Sequence, residues 1–530
     1  MDNTLDLKES QGELLWQKVA PLGLSRRKFL ALLGSGGVAA VLASFPPSVS
    51  RLLAPSMVEP AYASTTATDE LIYTSATQLA QAIRAKKVSS EEVVKAYLQR
   101  IEAVNPKLNA VVQLAADQAL AQAREADAAL AKGQIKGALH GVPMTIKDSL
   151  DTAGIISTAG SKGRASFVPK EDATVVARVR AAGAIVLGKT NTPEITMAYE
   201  TDNAVYGRTN NPYDLSRTPG GSCGGAGAII AAGGSPLDIG SDTGGSVRVP
   251  SHFCGIAGIK PNTGRVPRTG HIPPPGGVWG PFTQLGPLAR FVEDLVLVLP
   301  IIAGIDGQDP EIIPVPLGDP RKVNLKSLRV AFHTDNGIVS PTTETVEVVK
   351  TTAKVLSEAG MAVEEARPQG IEQSNEIFRG FFMDGGAESD RLLQMAGTAD
   401  TELSDLMRRF LDWQRANPMT VGQFSNLLAR WSSFRAAMLS FMAKYDVIVC
   451  PACAHPAKPH RESLANTAVY SYTKTYNLTG WPAVVVRGGT SPEGLPIGVQ
   501  VVACPWREDV ALAVAQHIET ALGGWRPPSL

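Results

Sequence analysis

Between Pro219 and Pro250 the chain carries two glycine-rich loops on either side of a run of small residues, and this stretch limits the fold more than any other. The first loop reads Pro219-Gly-Gly-Ser222-Cys-Gly-Gly225, and the second reads Gly240-Ser-Asp242-Thr243-Gly244-Gly245-Ser246-Val-Arg248-Val-Pro250. Glycines let backbone turn and ligands approach closely, so consecutive N–H groups can face inward. Donors arranged in this way suit charge that develops on an acyl oxygen. Ser246 directly follows them, at a place suited to a nucleophile. Taken alone, a serine among glycines is a turn residue, and serine is a weak nucleophile unless a base takes its proton.

A candidate base lies upstream. Gly141-Val-Pro-Met-Thr-Ile-Lys147-Asp148 sets a lysine at the end of an apolar strand. Strand-end lysines are ordinarily surface charges. Burial disfavours the charged form, and a neutral lysine can accept a proton. The seven histidines, His140, His252, His271, His333, His455, His460 and His517, offer no obvious base. They show no metal-site spacing with cysteines or carboxylates. His455 and His460 fall in a Pro-rich loop and are expected to be solvated.

Elsewhere, helical and strand patterns alternate. Ser75 to Asn105 reads as two helices, with Ser89-Ser-Glu-Glu92 as a capping box opening the second. Val111 to Lys132 reads as an Ala-rich helix ended by Gly133, Val142 to Ile146 as a buried strand, and Ala173 to Ala182 as a helix before a strand at Ala184–Leu187. Ala226 to Ala232 reads as a helix. A helix over Val346–Ala359 precedes a strand from Ala362. A helix over Ser425–Lys444, with Leu427, Trp431, Phe434, Met438 and Phe441 at helical spacing, leads into a strand at Val447. Pro310 to Pro320 reads as a surface connection. This alternation predicts an α/β architecture with a covered sheet.

Several chemistries are disfavoured. Gly183-Ala-Ile-Val-Leu-Gly188-Lys189-Thr190 matches the phosphate-loop pattern, but its middle is a strand and Asn191-Thr-Pro193 opens no helix. A formal net charge of +0, with no basic run in the body of the chain, gives no footprint for a nucleic-acid partner. The five cysteines, Cys223, Cys254, Cys450, Cys453 and Cys504, are too few and odd in number to frame the fold. Cys450-Pro-Ala-Cys453 has redox-pair spacing but follows the buried strand Tyr445–Val449, which favours a structural role.

The first 63 residues read as an export segment. Arg26-Arg27 stands ahead of an uncharged run from Phe29 to Phe45, and Ala61-Tyr62-Ala63 supplies a cleavage pattern. Twin arginines in that context predict the twin-arginine route to a periplasmic or extracytoplasmic location. The run is too short for a spanning helix, so no membrane span is expected in the mature chain, residues 64–530.

The Lys147 strand, the Ser222 loop and the Gly240–Pro250 stretch together resemble the three signature elements of the amidase signature family, with the spacing of the two serines also matched. Further fragments agree: Gly188-Lys-Thr-Asn191, Gly207-Arg-Thr-Asn-Asn-Pro212, Cys254-Gly-Ile-Ala-Gly-Ile-Lys-Pro261, Gly286-Pro-Leu288, Asn477-Leu-Thr-Gly-Trp-Pro482 and Gly494-Leu-Pro-Ile-Gly-Val-Gln500. The resemblance covers nearly all of the mature chain and is weakest at residues 306–443, which it leaves as a variable, substrate-pocket region. It implies a single large α/β/α sandwich with a mixed central sheet covered by helices. It implies a hydrolase that cleaves a carboxamide C–N bond of a small molecule through a serine acyl-enzyme, with no metal or cofactor and with room for a homodimer. In that reading Ser246 is the nucleophile, Ser222 a bridging serine after a cis peptide bond from Gly221, and Lys147 the base. The N–H groups of Thr243, Gly244, Gly245 and Ser246 form the oxyanion hole, and Asp242 and Arg248 support the loop. Cys223 stands where the family commonly has a second serine and is read as a passive replacement.

Three other readings compete. Gly220-Gly-Ser222-Cys-Gly224 fits the nucleophile elbow of an α/β-hydrolase-like esterase, although Asp214–Thr218 ahead of it is polar and turn-like. An exported, inactive binding protein and a transfer-RNA amidotransferase subunit are the others.

Overall fold

The computed structural model describes residues 71–463 and 465–530. The export segment assigned to residues 1–63 lies outside them. Eleven strands form one mixed sheet: β1 (Val111–Leu114), β2 (Pro143–Lys147), β3 (Ile185–Thr190), β4 (Leu237–Asp242), β5 (Ala257–Lys260), β6 (Gln284–Ala289), β7 (Arg329–Phe332), β8 (Ala362–Glu365), β9 (Val447–Pro451), β10 (Ala483–Thr490) and β11 (Pro496–Ala503). Their order is β1-β3-β2-β4-β6-β5-β10-β11-β9-β7-β8. β2 runs parallel to both β3 and β4, and β7 runs parallel to both β8 and β9. Antiparallel ladders join these two groups through the middle of the sheet.

Side chains alternate across each strand, and the central strands use both faces. On β9, Val447 and Val449 join one core while Ile448 and Cys450 join the other. On β10, Val484 and Val486 face the first core and Ala483 the second. Such near-continuous apolar runs are what a sheet buried on both faces requires. The first core is closed by helices that include Ser90–Leu108, Gly224–Ala231, Val292–Ile302 and Glu508–Leu522; the second by Ser374–Gly380, Ala387–Met395, Asp405–Arg415 and Val421–Met442. The sandwich expected from the sequence is the one observed.

Two local signals hold. Ser89 and Glu92 form the reciprocal capping box of Ser90–Leu108. Leu427, Phe434 and Met438 are buried on Val421–Met442, as its apolar stripe predicts. The helix expected from Val111 is corrected: Val111–Leu114 is strand β1, and the helix begins only at Ala116. Asn109, at φ 51°, ends the preceding helix, and the Asn105 side chain accepts from the N–H groups of Ala110 and Val111. That turn lays the β-branched pair Val111-Val112 along β3 before the alanines can propagate a helix.

Candidate active site

β2 ends at the centre of the parallel group, and its last residue is Lys147. Because β3 and β4 flank it, the Lys147 side chain is completely buried. Its Nζ donates to Ser222 Oγ at 2.7 Å and to Ser241 Oγ at 2.9 Å. Burial lowers the Lys147 pKa, opposed chiefly by the neighbouring Cys223 thiol and by Asp238 and Asp242. Beneath it, Asp238 accepts from the hydroxyls of Thr145 and Thr190, and burial raises its carboxyl to about 6.

Ser222 lies on the loop that opens the helix Gly224–Ala231, and the Gly221–Ser222 peptide is cis. A side chain at Gly221 would meet the Ala198 carbonyl at 2.7 Å and the Glu200 amide at 2.9 Å, so only glycine fits there. Cys223 N–H donates to the Ser246 carbonyl, which ties the two glycine-rich loops together. The Ser222 and Ser246 hydroxyls are not hydrogen-bonded to each other in this structure. The Cys223 thiol is buried and donates to the Ser241 carbonyl, and burial raises its pKa.

The second loop is shaped by Asp242. Its carboxylate accepts from the N–H groups of Gly245, Val247 and Arg248, and from Arg248 Nε, Arg248 Nη2 and Asn477 Nδ2. Burial alone would raise this carboxyl, but the Arg248 guanidinium and the hydrogen bonds hold it down to about 2. Asp242 and Arg248 are both fully buried. Arg248 also donates to Gln500 Oε1, Asn477 Oδ1 and the Thr473 carbonyl. The Gly245 N–H is therefore committed to Asp242, whereas Thr243, Gly244 and Ser246 line the adjoining cavity. That assigns Gly245 to holding the loop rather than to facing the cavity. At φ +127° Gly245 adopts backbone that side chains avoid.

The cavity, of about 640 Å³, is walled by Met197, Tyr199, Phe378, Phe382, Phe410 and Trp413 and edged by Arg379, Arg409, Arg461 and Lys474. Residues 306–443 supply part of this wall. The rest comes from 196–199, from Thr243, Gly244 and Ser246, and from Arg461, 465–468 and Lys474, which lie outside the region singled out in the sequence.

The structure thus gathers Lys147, Ser222, Ser246, Thr243, Gly244, Asp242, Arg248 and Cys223 at one end of β2 and β4. Sequence reasoning missed Ser241, the second partner of Lys147, and the anchoring roles of Thr473, Asn477 and Gln500. The β2–β4 register would have exposed Ser241. Asn477 and Gln500 stood in quoted motifs, but nothing local shows that both converge on Arg248. Lys189, the lysine of the false phosphate loop, is buried in β3 and donates to the Leu150 carbonyl and Thr152 Oγ1. His455 is corrected from solvated to half-buried, and burial lowers it to about 4. His460 is half-buried as well.

The description "Amidase" belongs to the family profile that matches residues 92–512. An acylamidase of Rhodococcus erythropolis is 35% identical over 469 residues, spanning 85% of this chain and 95% of that protein. Fatty-acid amide hydrolase 2 of Homo sapiens is 32% identical over 492 residues, spanning 87% and 91%. The solved structure of 6-aminohexanoate cyclic dimer hydrolase in complex with its substrate superposes with a TM-score of 0.77 at 28% identity, covering 86% of this chain and 99% of that one.

Proposed function

The chain belongs to the amidase family, and from that premise we propose that Ser246 is its acylating nucleophile, with Ser222 and Lys147 as the relay that takes its proton. The reaction class is hydrolysis of an amide C–N bond, and the protein is a hydrolase of non-peptide amides. The observation that carries the residue assignment is a fully buried Lys147 amine at 2.7 Å from Ser222 Oγ, on the loop bonded to Ser246.

The steps follow from that geometry. Desolvation favours neutral Lys147, which accepts the Ser222 proton as Ser222 takes the proton of Ser246. Ser246 Oγ attacks the amide carbonyl, and the N–H groups of Thr243, Gly244 and Ser246 stabilise the developing oxyanion. The proton returns through Ser222 to the leaving nitrogen. Ammonia or an amine departs, and water attacks the acyl-enzyme by the same relay, releasing the carboxylate. The relay needs one closure that the resting structure lacks, a hydrogen bond from Ser246 Oγ to Ser222 Oγ; rotation of the Ser246 side chain about its Cα–Cβ bond supplies the freedom for it. The esterase reading of Ser222 loses support, because its hydroxyl is held by Lys147 and no histidine among the described residues bonds to either serine.

Intact-protein mass and peptide mapping after a fluorophosphonate probe test the assignment. Label on Ser246, lost in Ser246→Ala and strongly slowed in Lys147→Ala and Ser222→Ala, is expected. Label on Ser222 that is indifferent to Lys147 would refute it.

We also propose export by the twin-arginine route, supported by Arg26-Arg27 ahead of the Phe29–Phe45 run and by Ala61-Tyr-Ala63. Replacing both arginines by lysine should retain the activity inside cells that otherwise release it. Unchanged release would overturn the proposal.

A further inference from the structure

Lys474 is a buried lysine that forms no ion pair among the described residues. Its side chain belongs to the helix Ser471–Thr479 and lines the cavity, yet the residue is only 2% exposed. Nζ donates to the Thr467 carbonyl at 2.7 Å and to Asn375 Oδ1 at 3.1 Å, both neutral acceptors, so in its ammonium form one of the three N–H groups is left for a further acceptor. Among the described residues no carboxylate forms an ion pair with it. The charges that act on it are Arg379, which lowers its pKa beyond what burial does, and the Cys453 thiol; the result is about 7. Aromatic faces give partial compensation, with Nζ 5.6 Å from the ring centres of both Tyr199 and Phe378. Burying an unpaired ammonium is costly, so such a group is normally paired or neutral.

The surroundings repeat the sign. Arg379, Arg409 and Arg461 line the same cavity, and among the described residues no aspartate or glutamate does. Arg379 rests over the Trp413 ring at 5.4 Å, Arg409 pairs with the exposed Asp405, and Arg461 has Asp202 and Glu200 as acidic neighbours, its backbone N–H donating to Glu200 Oε2. A cavity whose charged lining is all cationic concentrates anions. Lys474 is also coupled to the loop that receives the amide. The preceding residue, Thr473, donates through Oγ1 to the Gly244 carbonyl at 2.8 Å. Tyr199 donates to that same carbonyl at 3.1 Å while its ring faces Lys474. The cation and the Gly244–Ser246 loop are therefore separated by one aromatic ring.

We propose that Lys474 reads an acid group on the substrate, and that the amides hydrolysed at Ser246 carry a carboxylate set off from the scissile bond by a short apolar spacer. This rests on the assignment of Ser246 above. The carboxylate would take the remaining N–H of Lys474, and Met197, Phe378 and Phe382 would cover the spacer.

The test uses the full chain and matched competitors against fluorophosphonate labelling of Ser246. Adipic acid monoamide is compared with hexanamide, and N-hexanoyl-β-alanine with N-propylhexanamide. In wild type the acid member of at least one pair should protect Ser246 at concentrations about 10–100-fold lower than its neutral partner, the span of one charge-assisted hydrogen bond. Lys474→Met should collapse that ratio, and Lys474→Arg should restore part of it. A purely structural lysine would weaken both members together and leave the ratio unchanged, which overturns the proposal. Wild type that shows no acid preference in either pair overturns it without any variant. Absence of label on Ser246 before any competitor is added refutes the acyl-enzyme assignment itself, a result distinct from equal protection by both members.

Discussion

The most consequential single residue is Lys147, whose role depends on its proton. A base works only when neutral, so kcat/KM should rise with pH as Lys147 deprotonates and fall as pH drops through its pKa. Burial places that inflection below the ordinary lysine value of 10.5. Lys147→Ala should lower kcat about 10²–10⁴-fold and erase this limb of the pH–rate profile. A profile that keeps the limb in the variant assigns it to another group. Cys223 makes the opposite case. Its thiol is buried, points to the Ser241 carbonyl and is pushed toward the protonated form, which is the inert state of a cysteine. Iodoacetamide should leave both Cys223 and the activity intact, read by peptide mapping beside an activity assay; inactivation that tracks alkylation of Cys223 would give the thiol a direct part. At this scale the site was legible in good measure. Lys147, Ser222 and Ser246 each stand at a point the local pattern marks, a strand end or a glycine-rich loop. Ser241 was not legible, because its hydroxyl meets Lys147 only through the register of β2 against β4.

At the scale of elements, the second loop is a short connection from β4 to the helix Arg248–Phe253 that is held from within by one carboxylate. Asp242 satisfies three backbone N–H groups and the Arg248 guanidinium, all out of contact with water. Breaking a buried pair from one side leaves the other charge uncompensated, at about 3–5 kcal/mol. Asp242→Asn should therefore lower the denaturation midpoint by that equivalent, and it should also slow acylation of Ser246, because Gly245 loses the anchor that sets the angle of Gly244. Urea titration and the probe-labelling rate check the two parts. A variant of unchanged stability would show that the pair is neutral against its desolvation cost. Strands and helices were mostly readable from periodicity and caps, since those signals are local. β1 was not, because four residues beside a long alanine run carry too little pattern, and the antiparallel partner that makes Val111–Leu114 a strand lies some way along the chain, at β3.

At the scale of the whole molecule, the chain divides its labour between the β1–β6 part of the sheet and the segments that follow it, and the site draws on both. The β1–β6 half supplies Lys147 and the two loops. Residues from Asn375 onward supply most of the aromatic cavity wall and, through Asn477, the far end of the Asp242 network. Neither the joining of β5 to β10 nor the return of Asn477 and Gln500 to Arg248 can be read locally, since pairing over such separations leaves no periodic trace. One physical link makes the division testable. Asn477 Nδ2 donates to the Phe282 carbonyl as well as to Asp242. Phe282 packs edge-on against Phe381 with ring centres 4.6 Å apart, and Phe381 in turn meets Trp431 at 5.3 Å and Phe424 at 6.0 Å. Phe381 is buried, and removing its ring should cost about 3–5 kcal/mol through lost transfer energy and the cavity left behind. If the aromatic cluster also holds Phe282 in place, Phe381→Ala should slow fluorophosphonate acylation of Ser246, even under conditions where the variant is fully folded by circular dichroism. A variant that loses stability but acylates at the wild-type rate would show that the second core closes the cavity without setting the geometry of the loop. The position of Ser246 would then depend on the β1–β6 half and Arg248 alone.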